Sequence, residues 1–103
     1  MQYNDKEASQ ARAQIFRITR ILENYTQDEF ADKLKLGSSS TCSRVERLNA
    51  RVSLKYVEKY INAFGINMID YLEAEKEGVK ILSEKKQLRN VAYVVCKLLE
   101  KTE

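Results

Sequence analysis

Not one proline stands in this chain of 103 residues, and only three glycines do. These are the two residue types that most disfavour a helix interior, so little here forces the backbone out of long helical runs. The apolar residues follow the same period. From about Asp5 to Glu23, Ala8, Ala11, Ile15, Ile18 and Leu22 fall three or four positions apart and line one face of a helix. The expected fold class is all-α. With 44% hydrophobic and 32% charged residues, the length suits one small soluble domain plus an accessory helix.

Local punctuation divides the rest. Asn24 tolerates the left-handed conformation that closes the first helix. Thr26-Gln27-Asp28-Glu29 is a capping box: the threonine hydroxyl accepts from the amide of Glu29, and the carboxylate reaches back to the amide of Thr26. A second helix is predicted over about Gln27 to Leu34, with Phe30, Ala31 and Leu34 inward. Lys35-Leu36-Gly37 is a turn in which Gly37 takes positive φ, and Ser38 caps a third helix over about Ser39 to Leu48, with Cys42 and Val45 inward. After a loop at Asn49 to Val52, Ser53 caps a fourth helix, Leu54 to Phe64, whose core positions are Leu54, Val57, Ile61 and Phe64, and Gly65 stops it. Asn67 with Asp70 opens a short fifth helix carrying Met68, Ile69, Tyr71 and Leu72. The mixed charges of residues 73–78 suggest a linker, followed by a last helix within 79–103, where Cys96 faces an apolar stripe.

Composition narrows the chemistry. No histidine is present, which removes the usual general base and the commonest metal ligand. Cys42 and Cys96 are too few and too far apart for a zinc site. No enzyme, metal or cofactor is therefore expected. The longest apolar run, Val91 to Cys96, falls far short of the roughly 20 residues of a membrane span, and the amino terminus is polar, so a cytoplasmic protein without membrane contact is expected. Charge is uneven: residues 33–59 carry seven lysines and arginines against Glu46 and Glu58, whereas residues 61–103 balance seven against seven. A basic central segment suits nucleic acid or a solvated face.

Thr26-Gln27-Asp28-Glu29-Phe30-Ala31 and Ser43-Arg44-Val45-Glu46 together resemble the Cro/lambda-repressor-like (XRE) helix-turn-helix family. In that family the second helix begins Thr-Gln, and the recognition helix ends Ser-Arg-apolar-Glu. The likeness extends over roughly residues 14–72, with one extra residue in the turn at or near Lys35. It implies a five-helix domain over 1–72 with its helix-turn-helix at about 26–48, a linker over 73–78 and an additional C-terminal helix over 79–103. It also implies a structural ion pair between Arg20 and Glu46. Removing one partner of such a pair, if buried, costs about 3–5 kcal/mol.

On this resemblance Ser39, Ser40, Thr41 and Arg44 are the base-reading positions, Arg44 being suited to guanine O6 and N7. Gln27, Ser38, Ser43, Arg47, Asn49, Arg51 and Lys55 are expected at the DNA backbone. The expected function is a dimeric repressor that inserts its third helix in the major groove of an operator in double-stranded DNA. An alternative is an antitoxin-type protein that binds a toxin or another protein partner and regulates its own operon. Leu88, Val91, Val95, Leu98 and Leu99 form a stripe that either covers the chain's own core or pairs two copies, a homodimer being the expectation.

Overall fold

The computed structural model describes residues 4–47, 51–84 and 88–101, the side chains of 88 and 89 apart. Among the described residues all regular structure is helical: α1 (Asp5–Leu22), α2 (Gln27–Leu34), α3 (Ser39–Glu46), α4 (Leu54–Phe64), α5 (Met68–Ser83) and α6 (Leu88–Glu100). α1 packs against α5, α6 and α3, α2 against α3 and α4, and α5 against α6.

Caps set the boundaries. α1 opens on a capping box between Asn4 and Glu7, and α2 on the one between Thr26 and Glu29. Three helices close alike. Asn24 (φ 61°), Lys35 (φ 57°) and Gly65 (φ 66°) turn left-handed, and the amide one residue on reaches back to a carbonyl in the last turn: Tyr25 to Arg20, Leu36 to Ala31, Ile66 to Ile61, each at 2.9 Å. Asn24 and Gly65 are residue types that tolerate this conformation. Lys35 does so at the cost of its Cβ, about 1 kcal/mol, and its carbonyl accepts a bond from Lys59 Nζ at 3.0 Å. With Gly37 at φ 95°, the turn between α2 and α3 thus contains two positive-φ residues.

The core is aromatic at its centre. Phe16 stacks on Tyr60 with centroids 4.8 Å apart, and Phe30, Phe64 and Tyr71 surround them. Thr19, fully buried, shares a 2.7 Å hydrogen bond with the Tyr60 hydroxyl.

Several expectations need correction. Residues 73–78 are no linker, since α5 runs unbroken from Met68 to Ser83 and takes in the first residues of the expected last helix. Glu73, Lys76 and Glu77 occupy the solvated side of a helix whose other side buries Ala74, Gly78 and the one inward charge, Glu75. Leu22 and Leu54 are exposed at helix ends, where neighbours no longer cover the stripe, and Met68, Ile69 and Leu72 are exposed as well, only Tyr71 of that group being buried. Ser38 and Ser53 occupy N-cap positions but make no side-chain cap bond. Cys96 is exposed rather than packed. Val91, Val95 and Leu98 are buried in the chain's own core, so these three side chains close the monomer and are not available to a second copy, while Leu99 packs against that core half-buried. Leu88 lies outside the described side chains, and Leu48 and Asn49 outside the described residues.

Candidate nucleic-acid interface

α3 has two faces. Cys42 and Val45 are buried on its inner side, whereas Ser40 and Arg44 are exposed and Ser39, Thr41 and Ser43 half-buried. Its first turn carries no acidic residue, in contrast to the first turn of α2, where Asp28 and Glu29 stand. The positive end of the α3 dipole is therefore not neutralised by a carboxylate of its own first turn. Ser38 does not cap it. Its hydroxyl lies 2.8 Å from that of Ser40, which links the turn to the exposed face. Arg44 makes no ion pair among the described residues. Arg47 donates from Nη2 to Ser43 Oγ at 2.7 Å, so these two expected backbone contacts are joined to each other.

The last turn of α3 is locked from behind. Arg20 forks Glu46 through Nε to Oε2 at 2.5 Å and Nη2 to Oε1 at 3.0 Å, and its Nη1 donates to the Tyr25 carbonyl at 3.0 Å. The ion pair expected between Arg20 and Glu46 thus appears in the geometry, and it ties α3 to α1 and to the start of α2. Gln27 joins this cluster, donating from Nε2 to Glu46 Oε1 at 3.3 Å. An amide nitrogen carries two hydrogens, so one remains for an outside acceptor. Cys42 donates from Sγ to Glu46 Oε2 at 3.4 Å.

The Glu46 side chain keeps only 8% of its exposure. Burial alone would raise its pKa. The hydrogen bonds from Arg20, Gln27 and Cys42 outweigh that and hold the carboxyl below its ordinary value. Burial, with the Glu46 carboxylate beside it, pushes the Cys42 thiol up to about 12, so at neutral pH it stays a protonated core residue.

Beyond α3, Arg51 is exposed and pairs with Asp5, and Lys55 is exposed on the first turn of α4. Two features lay outside the expected set. Arg17, half-buried, stands with Nε 4.0 Å from Glu46 Oε1 and adds a cation beside the end of α3. Its signal was present, since it precedes Arg20 by three residues and shares that face of α1. The second is a buried pair, Arg12 with Glu75, whose Nε to Oε1 distance is 2.7 Å and whose carboxylate also accepts from the Tyr71 hydroxyl at 3.0 Å. Nothing local in the sequence marks partners 63 residues apart.

Compared with known families, curated proteins and solved structures, the chain has no match. No described helix is long and apolar enough to cross a membrane.

Proposed function

We propose that this chain is a sequence-specific DNA-binding transcriptional regulator of the Cro/lambda-repressor-like helix-turn-helix kind, a repressor where its operator overlaps a promoter. Its main support is the division of α3 into a buried face of Cys42 and Val45 and an outer face of Ser40 and Arg44, with the end of the helix held by the fork from Arg20 to Glu46. A short helix backed so firmly can enter a major groove about 12 Å wide without losing its orientation. In this proposal Arg44 grips a guanine, Ser39, Ser40 and Thr41 contribute permissive hydroxyl contacts, and Gln27, Ser38, Arg17, Arg47, Arg51 and Lys55 answer phosphates. One such helix covers half a site. A two-fold homodimer, which would set two copies of α3 about 34 Å apart, is part of the proposal. Because Val91, Val95 and Leu98 are committed to the core, that pairing uses a different surface.

Equilibrium binding to duplex DNA across a salt series tests the proposal. Affinity should fall steeply, since each neutralised phosphate releases a counterion, and a flat plot of log affinity against log salt removes the DNA reading. In selection from random duplexes, Arg44→Ala should relax preference at one position per half-site, and an unchanged selected motif takes base reading away from Arg44. Sedimentation with and without the selected duplex measures the dimer.

A further inference from the structure

Val52, between α3 and α4, belongs to a connection that would ordinarily leave its backbone to water. Here both of its backbone groups are held by α1. Its amide donates to Ser9 Oγ at 2.9 Å, its carbonyl accepts from Arg12 Nη1 at 2.9 Å, and its side chain is fully buried. Arg12 is itself fixed from the other side. Its Nε and Nη2 reach Glu75 Oε1 and Oε2 at 2.7 and 3.3 Å, and Tyr71 donates to the same carboxylate at 3.0 Å. The Glu75 side chain is 1% exposed.

A desolvated ion pair of this kind seldom adds net stability over apolar side chains of similar volume. What it does secure is position. Three side chains from α1 and α5 determine where one residue of the connection lies, and the two exposed cations beyond α3 flank that residue: Arg51 precedes it directly, and Lys55 stands three residues later on the first turn of α4.

We infer that Arg12, backed by Glu75 and joined by Ser9, is a positioning residue that fixes Val52 so that Arg51 and Lys55 meet DNA phosphates in register with α3. This rests on the DNA-binding reading above. The helix-turn-helix segment alone then does not define the contact surface, because α5, far along the chain, sets part of it.

The test uses the full chain in two variants chosen to stay folded. Arg12→Met/Glu75→Gln removes both charges together and leaves Tyr71 an acceptor. Ser9→Ala removes only the partner of the Val52 amide. In both, the Val52 amide should exchange with solvent faster than in the parent chain. The double variant should bind selected duplex DNA on the order of tenfold more weakly, the size of one lost charged hydrogen bond. Its salt slope should fall by about one per lost phosphate contact, while the selected sequence stays the same. Adding Arg51→Ala to it should cost little more, whereas Arg51→Ala in the parent chain weakens binding by itself. A folded double variant with parental salt slope, or a full additive loss on adding Arg51→Ala, overturns the positioning role. A failure of the underlying reading looks different: the parent chain itself would then show no salt-dependent affinity, and the positioning role would fall with it.

Discussion

Arg12 and Arg20 stand on the same helix, about 12 Å apart along its axis, and each forks a glutamate, yet the two pairs sit in different surroundings. Glu75 faces inward under α1, with Arg12 and the Tyr71 hydroxyl as its donors. Glu46 lies at the end of α3, where Gln27, Cys42 and half-buried Arg17 add to Arg20. Two lessons follow. A carboxylate near the surface at a helix end tolerates the loss of one partner better than one that is 1% exposed, where water cannot take the partner's place. And each pair pins a segment rather than a whole helix: Arg20 the last turn of α3, Arg12 the connection at Val52.

The sharpest way to break this contrast is Arg12→Met alone. It takes the Arg12 guanidinium away from the buried Glu75 carboxylate, and the loss should be about 3–5 kcal/mol by urea denaturation. A loss below about 1 kcal/mol would mean that water reaches the pair and that the two sites are alike. Arg20→Met should cost less, about 2 kcal/mol, because Gln27, Cys42 and Arg17 remain around Glu46. Equal losses for the two arginine variants would contradict the ranking.

A pH series sharpens the Glu46 side. Its carboxyl is held below its ordinary value of 4.5, so it binds a proton less readily folded than unfolded. The stabilisation this provides is complete above the unfolded value and is lost as pH falls from about 4.5 through the lower folded value. Glu46→Gln should flatten the acid limb of the stability curve in that window, and an unchanged limb would place the acid sensitivity elsewhere.

The smallest effect is chemical. Cys42 is buried with its thiol raised to about 12, and Cys96 is exposed, so a thiol reagent at neutral pH should modify Cys96 quickly and Cys42 only on unfolding. In Arg20→Met, labelling of Cys42 should accelerate if the end of α3 loosens. Mass spectrometry after timed alkylation reads both rates.

Much of the helical layout was legible because its causes are local. The box from Thr26 to Glu29, the left-handed closures at Asn24 and Gly65 and the stripe of Phe30, Ala31 and Leu34 each lie within a few residues. The left-handed closure at Lys35 was not legible because its Cβ makes that conformation unfavourable, and the bond from Leu36 to Ala31 and the cation from Lys59 offset the cost. The extent of α5 was not legible because a run of charges reads the same in a linker as on the wet side of a helix. Of the candidate interface, the outward placement of Ser40 and Arg44, the pair between Arg20 and Glu46 and the place of Arg17 one turn before Arg20 were legible, whereas the clamp on Val52 was not.

By itself the sequence determined which segments coil and where most of them stop, since propensity, periodicity and capping act over one or two turns. It also determined that α6 would carry an apolar stripe. What that stripe covers is set by helix packing, which buries Val91, Val95 and Leu98 against the chain's own core, and so is the choice of α1 arginine that meets Glu75. Those outcomes depend on how whole helices pack, and a side chain's partner 63 residues away leaves no trace in its own neighbourhood until that packing brings the two together.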